Sequence, residues 1–293
     1  MNLLITGGNG FIAKNLSEQL RETYSVTTCN SKELNLLDAP LVYEFIKNHR
    51  FDVIIHTATY DPAPKYSTKD PLKVLENNLK MFFNVARCKN HFGKMLYFGS
   101  GAEFDREYWM PLMKESYYDQ YVPSDQYGFS KYVMTKYAEN SDKIYNLRVF
   151  SVFGKYEDWR YRFISKACCC AILNLPVICN QNVYFDYMYI DDFVKIVKWF
   201  IENNPHRHIY NLCTSKIYEY QGLAGIISGF ANNKLEVIFK NEGWRKEYSG
   251  DNTQLLEELK GFKFETINES ILKLYNWYEL NRHIIDKKEL MQG

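Results

Sequence analysis

The stretch Leu3-Leu4-Ile5-Thr6-Gly7-Gly8-Asn9-Gly10-Phe11-Ile12-Ala13 decides how the rest of the chain is read. A short apolar run meets closely spaced glycines, and Phe11, Ile12, Leu16 and Leu20 then follow at near-helical spacing. That is the pattern of a strand, a tight turn and a packed helix. Glycines in such a turn let bare backbone approach a pyrophosphate, whose charge is met by the helix N-terminus. Gly7, Asn9, Gly10, Phe11 and Ile12 are therefore read as contacts of a dinucleotide cofactor. Ala13 stands where the third glycine of the fingerprint is expected, and its small side chain still permits close helix-strand packing.

Working outward, strand-like runs lie at 3–6, 25–28, 53–57, 94–98 and 144–150, separated by helical patterns at 11–22, 40–49, 71–91 and 127–140. This alternation predicts an α/β fold, a Rossmann-type doubly wound parallel sheet whose strands all end on one ligand-binding rim. Beyond residue 155 the alternation breaks down, with helices at 160–174 and 191–203 and a strand at 182–189. A final βα-like stretch comprises 235–239, 251–260 and 266–280, with Trp244-Arg245 in its loop. The expected organisation is a dinucleotide-binding domain over 1–155 to which 191–213 returns. A smaller substrate-binding region is expected from 156–190 and 214–293, ending in a solvated tail at Lys287-Lys288.

Composition narrows the function class. The 293 residues carry 36 basic and 35 acidic side chains, a net charge of +1 that offers no global field to nucleic acid or an anionic membrane. Any anion must be bound locally. The 24 tyrosines are not interleaved with a basic stripe, so they read as packing rather than as base-stacking platforms. Seven cysteines, including Cys168-Cys169-Cys170, form no Cys-x-x-Cys pair and read as reduced core thiols. No metal-ligand spacing occurs, and His56 after its apolar strand reads as structural. With no apolar run of membrane-spanning length and no signal-like segment, a cytoplasmic protein is expected.

The second informative stretch is Tyr127-Gly128-Phe129-Ser130-Lys131. Tyrosine is a poor acid or base near neutrality, with a reference pKa of about 10. Lys131 stands one helical turn from Tyr127, where its ammonium is expected to lower the phenol's pKa and to reach a nicotinamide ribose. At the start of a helix after the fourth strand, the pair lies on the rim that holds the nucleotide.

Together these segments resemble the extended short-chain dehydrogenase/reductases, the NAD(P)-dependent nucleotide-sugar epimerases, dehydratases and reductases. The resemblance covers most of the chain: 6–13, His56-Thr57-Ala58-Thr59, Asn78, 99–104, 127–131, 148–154 and 186–192. It implies cofactor contacts at Thr57, Ala58, Thr59 and Asn78, a catalytic Tyr127-Lys131 pair, and an active-site serine strand at 99–104. The position most like the family's catalytic hydroxyl residue is Gly101, which leaves Ser100 as a candidate that reads equally as a turn residue. Glu103 occupies the place of the dehydratases' base but follows Ala102 rather than an aspartate, and no epimerase-type cysteine is present there. It reads as a polar anchor first and a substrate-side group second.

At the end of the second strand, where an acid would select NAD(H), the chain reads Thr28-Cys29-Asn30-Ser31-Lys32. Asn30, Ser31 and Lys32 favour NADP(H), with NAD(H) the alternative. Leu36, within Asn35-Leu36-Leu37-Asp38, resembles the adenine-side segment. The family's substrates imply a diphosphate needing local cations, for which Arg160, Arg162, Lys166 and Arg245 are candidates that also read as solvated charges. Phe185 replaces the arginine that usually precedes the aspartate of the substrate-domain strand. The expectation is an NADPH-dependent reductase of a 4-keto-6-deoxy nucleotide-diphosphate sugar. The alternatives are a 4-epimerase holding NAD and a non-catalytic dinucleotide-binding protein. The resemblance also implies a homodimer paired through 71–91 and 127–140, with Met81, Phe82, Phe83, Tyr132, Val133 and Tyr137 on the joined faces.

Overall fold

The computed structural model describes residues 1–62, 67–231 and 234–292. The first half of the chain runs β1 (Asn2–Thr6), α1 (Phe11–Leu20), β2 (Ser25–Cys29), α2 (Ala39–His49), β3 (Val53–His56), α3 (Val74–Ala86), β4 (Lys94–Ser100), α4 (Gln126–Glu139) and β5 (Ile144–Val149). The second half comprises β6 (Val152–Phe153), α5 (Phe163–Ile172), β7 (Val177–Cys179), β8 (Tyr184–Asp186), β9 (Met188–Tyr189), α6 (Ile190–Glu202), β10 (Ile209–Leu212), β11 (Ile217–Glu219), α7 (Tyr220–Phe230), β12 (Val237–Phe239), α8 (Thr253–Glu258), α9 (Ile267–Leu280) and α10 (Lys287–Gln292).

Six strands pair in parallel in the order β2-β1-β3-β4-β5-β10. A parallel sheet is covered on both faces, which is why β1 and β3 are apolar along almost their whole length rather than alternating with polar residues. Leu3 and Ile5 face the cluster that includes α1, α5 and α6, while Leu4 faces the one that includes α2, α3 and α4. In-register pairing aligns Thr6 with Cys29 and His56, and Ser100 with Val149 and Leu212. The strand C-termini thus form one rim. The strand order reverses on either side of β1, so the turn after β1 opens into the crevice where such sheets bind ligands.

The second half divides between the two layers. α6 lies beside α1, where Gln19 donates to Asp191 and Tyr24 to Glu202, and β10 extends the main sheet. The pairs β7-β12 and β8-β11, with α5, α7 and α9, build the smaller region. Three local expectations differ. The helix expected over 71–91 is a 3-10 turn at Pro71–Lys73, then α3, then a second 3-10 turn at Lys89–His91. β11 and α7 form where no element was expected, because a run with several glycines becomes helical once Leu223, Ala224 and Ile227 are buried. The tail at Lys287-Lys288 is not merely solvated: α10 packs against α5 and buries Leu290. Along α3, Phe82 turns into the core, while Phe83 packs edge-on against the partly exposed Tyr137 of α4.

Candidate active site

The glycine turn is shaped for close approach. Gly7 adopts φ +70°, and a Cβ there would lie 2.8 Å from the Cα of Ala58, so a side chain would meet both a left-handed backbone and a wall. A Cβ on Gly8 would lie 2.6 Å from Thr28 Cγ2. The turn is thereby wedged between the ends of β2 and β3, with Asn9 and Gly10 exposed. Gly10 caps α1 without a side-chain hydrogen bond, and the first turn of the helix carries no acid. An anion therefore meets the helix N-terminus with no competing carboxylate there, and the residues present fit a dinucleotide's pyrophosphate. Ala13 is fully buried, as tight packing of α1 on the sheet requires.

Neighbouring contacts sort into surfaces and supports. Thr57 Oγ1 donates to the Thr6 carbonyl at 2.6 Å, and Thr59 lies exposed on the next loop. Asn78 is buried and spends its amide on Tyr60, accepting from its N–H at 2.8 Å and donating to its carbonyl at 3.0 Å. It holds the 57–60 loop in place. Leu36 also supports the fold: its side chain is in the core and its carbonyl accepts from Asn84 at 2.8 Å. At the end of β2, Ser31 and Lys32 are exposed, and Asn30 Oδ1 accepts from the Lys32 N–H at 2.9 Å. Glu33 folds back to accept from the Asn30 N–H at 2.8 Å, so a carboxylate does stand at this corner. His56 is structural: its Nδ1 lies 3.1 Å from Thr6 Oγ1, and burial, with Lys131 nearby, pushes its pKa down to about 3.

Across the crevice, Ser100 ends β4 and caps the 3-10 turn Gly101–Glu103, its Oγ accepting from the Ala102 N–H at 3.2 Å. Glu103 closes the reciprocal half of that cap by accepting from the Ser100 N–H at 3.0 Å. The Glu103 carboxylate and the Arg148 guanidinium are both fully buried, with Nε 2.7 Å from the carboxylate, and Asn146 donates to the same group. Arg148 also donates to Asn211 and lies 4.5 Å from the Phe104 ring centroid. Gly99 has to be bare, because a Cβ there would lie 2.0 Å from Glu103 Oε1. Glu103 is accordingly committed beneath the site rather than displayed on its substrate side.

α4 starts hard against that turn. Asp125 caps it by accepting from the Gly128 N–H at 2.9 Å, and a Cβ on Gly128 would lie 2.6 Å from the Ala102 carbonyl oxygen. The close approach sets the first turn of α4, with Tyr127, against the 3-10 turn that Ser100 caps. Lys131 is buried and donates to the Phe98 carbonyl at 2.9 Å, its Nζ lying 5.7 Å from the Tyr127 ring centroid. Burial pulls Lys131 down to about 8, partly offset by Glu103 and Asp61.

The expected acidification of Tyr127 by Lys131 is not what this structure shows. Burial raises the phenol well above its ordinary value, Tyr248 and Asp61 add to the rise, and Ser100 and Arg162 act downward. Desolvation outweighs an ammonium that is turned toward a backbone carbonyl. Tyr127 is held as a protonated phenol, the form a general acid needs.

The substrate-side cations separate. Arg162, ahead of α5, is close enough to act on Tyr127, and its guanidinium lies 4.8 Å from the Tyr161 ring centroid. Arg160 instead pairs with Asp158 at 3.1 Å and Glu289 at 3.5 Å. Arg245 is exposed on the segment bridging to Asn182, with Tyr220 nearby. Two residues that sequence reasoning did not single out also act on Tyr127. Asp61 follows the Thr57–Tyr60 loop, and Tyr248 arrives from the segment after β12. The only local signal for Tyr248 lay in Gly101, whose missing side chain leaves room for a ring.

The profile of the NAD dependent epimerase/dehydratase family matches residues 3–213. GDP-L-colitose synthase of Yersinia pseudotuberculosis is 26% identical over 168 residues, 54% of each chain. This chain spans about half the length of the first curated relatives it matches. A UDP-glucose 4-epimerase of Thermotoga maritima, solved with UDP-glucose, superposes with a TM-score of 0.81 at 19% identity, over 96% of this chain and 100% of that one. A GDP-mannoheptose C4 reductase of Campylobacter jejuni, solved with NADP, gives 0.80 at 17% identity, over 95% and 98%. At these identities the likeness to the solved structures is one of fold.

Proposed function

The chain belongs to the NAD-dependent epimerase/dehydratase family, and from that premise we propose that it reduces the 4-keto group of a 6-deoxy nucleotide-diphosphate sugar with NADPH. The observation that carries this reading is the pairing of an available acid with an unavailable base. Tyr127 stands protonated beside Ser100, whereas Glu103 is locked onto Arg148 and cannot take a carbon-bound proton. Hydride and proton addition to a carbonyl needs only the former.

Bound NADPH supplies the hydride. Gly7–Ile12 and the end of β2 would hold it, and Lys131 faces the Tyr127 side of the crevice. Tyr127 gives its O–H proton to the oxygen of the reduced carbonyl and recovers one from water. Ser100 donates a hydrogen bond to the phenolate left behind. Arg162, which acts on Tyr127, is our first candidate for meeting the diphosphate, since Arg160 is already paired with Asp158 and Glu289.

The decisive experiment is NADPH oxidation with a panel of 4-keto-6-deoxy nucleotide sugars. Turnover lost in Tyr127→Phe supports the reading, and a panel without turnover overturns it. Glu33 at the β2 corner favours a second reading, a 4-epimerase that retains NAD, because a carboxylate there suits ribose hydroxyls better than a 2′-phosphate. Mass analysis of cofactor released from the purified protein separates the two. Pairing of two copies through α3 and α4 belongs to the same proposal, and sedimentation of a monomer would remove it.

A further inference from the structure

A second cleft, of about 230 Å³, lies where α1 of the main layer meets the segment 156–160 and α9 of the smaller region. None of its lining residues belongs to the glycine turn, the Ser100 turn or the helix that carries Tyr127. Its walls are aromatic. Tyr156 meets Trp277 edge-on, with ring centroids 5.5 Å apart and planes at 82°. Trp159 is a further wall, and the Arg160 guanidinium lies 5.5 Å from its ring centroid. Tyr156 takes φ +72°, a left-handed backbone that a side chain adopts only at a cost. Burial of its ring does not repay that cost, since Tyr156 is 39% exposed. The conformation is held from the α1 side instead, where Asn15 donates to the Lys155 carbonyl at 2.9 Å and Lys155 pairs with Glu18 at 2.8 Å. A strained residue is thus used to display an aromatic face beside the cleft.

Charge and shape narrow what fits there. Arg160 is matched by Asp158 at 3.1 Å and Glu289 at 3.5 Å, and the Glu157 carboxylate accepts from Ser165. Lys14 is exposed, lies 5.7 Å from the Tyr156 ring centroid and enters no ion pair among the described residues, so its ammonium is the charge an occupant meets. That calls for an anion, met as a point charge. Parallel walls would sandwich a flat ring, whereas two faces at 82° make a corner. A corner suits a ring with thickness, such as a saturated sugar that turns C–H bonds to one aromatic face and its edge to the other. The volume lies below the roughly 300–1,000 Å³ of sites for drug-sized ligands, which excludes a dinucleotide or a nucleotide sugar and admits one sugar ring with one phosphate.

We propose that this cleft binds a pyranose carrying a single phosphate, the ring in the corner of Tyr156 and Trp277 and the phosphate on Lys14. Such a ligand bridges α1 of the main layer and α9 of the smaller region. The site does not depend on the reductase reading.

The experiment incorporates 5-fluorotryptophan into the full chain and follows the ¹⁹F signals of Trp159 and Trp277. They are assigned with Trp159→Phe and Trp277→Phe, or by difference from Trp109, Trp199 and Trp244 where either fails to fold. Glucose 1-phosphate, glucose 6-phosphate and galactose 1-phosphate are titrated to about 10 mM, beside glucose, inorganic phosphate and phenyl phosphate. We expect at least one sugar phosphate to shift the Trp277 signal saturably, and to bind about tenfold more tightly than glucose or phosphate alone. Lys14→Met should weaken that binding about tenfold and leave the thermal unfolding midpoint unchanged, because Lys14 is exposed. A Trp277 signal unmoved by all three sugar phosphates overturns the proposal. So does a response confined to Trp109, which packs against Tyr248 and would report binding in the catalytic cleft. Equal affinity in Lys14→Met, or tighter binding of phenyl phosphate than of any sugar phosphate, overturns the assigned ligand class.

Discussion

The rim of the main sheet and the smaller C-terminal region both face the cleft, but they furnish it by different means. On the rim, contiguous residues act together: Gly7, Gly8 and Gly10 form one turn, and Tyr127, Gly128 and Lys131 share one helical start. In the smaller region, each contribution comes alone from its own loop. Arg162 precedes α5, Tyr248 follows β12, and Arg160, two residues from Arg162, is turned to Asp158 and Glu289 instead. Where function is built from neighbours in sequence, local geometry suffices to place it. Where it is built from single side chains, long-range packing decides which of several like residues takes part.

The comparison breaks most sharply at Tyr127. Tyr127→Phe is expected to lower kcat by about 10²–10⁴-fold, the span of a lost general acid, with NADPH affinity unchanged by direct titration. A variant within a few-fold of the unsubstituted enzyme would mean that the proton comes from elsewhere. Next is the support beneath the rim. Glu103→Gln leaves a buried guanidinium facing a neutral group, and unfolding in denaturant should show a loss of about 3–5 kcal/mol. A loss below about 1 kcal/mol would mark the pair as dispensable.

The smaller region has its own buried charge in Glu157, which accepts from Ser165 at 2.6 Å. Burial pushes its pKa up from 4.5 to about 7, against the downward pull of Arg162 and Ser165. Between those values the folded protein holds a proton that the unfolded chain has released, so stability falls as pH rises from 4.5 to 7. The contribution amounts to roughly 3 kcal/mol at most. Glu157→Gln should flatten that part of the profile, and an unchanged slope would refute the assignment. The smallest effect is the one that sharpens the comparison best. Arg162→Ala should raise KM about tenfold through a lost charge-assisted contact, whereas Arg160→Ala should leave it unchanged. Equal effects would erase the distinction drawn between them.

The parallel sheet, its strand positions and the glycine turn were legible in the sequence, because each rests on a short-range pattern: apolar strands buried on both faces, helical spacing in α1, and a turn only glycine tolerates. The helical spacing of Tyr127 and Lys131 was legible for the same reason, whereas Ser100 read equally as a turn residue and a donor, and the structure shows it capping the turn Gly101–Glu103. Leu36 and Asn78 show that a residue inside a matching segment also serves the loop that carries it, through bonds to Asn84 and Tyr60 that no local pattern announces. The α7 helix and the docked α10 were hidden because tertiary burial overrides weak local preference.

The acidity of Tyr127 shows the same division. Spacing correctly put an ammonium one turn away, yet the phenol's proton affinity depends on desolvation and on Tyr248 and Asp61, 121 positions downstream and 66 upstream by their numbers. Sequence alone determined which chemistry-bearing groups lie on the sheet rim, since a rim is made where successive strands end. Only tertiary structure decided which way Lys131 points, that Glu103 is spent on Arg148, and that a tyrosine from another region fills the space over Gly101. The physical reason is range: backbone periodicity is written in neighbours, whereas burial and electrostatic environment are set by whatever the fold brings alongside.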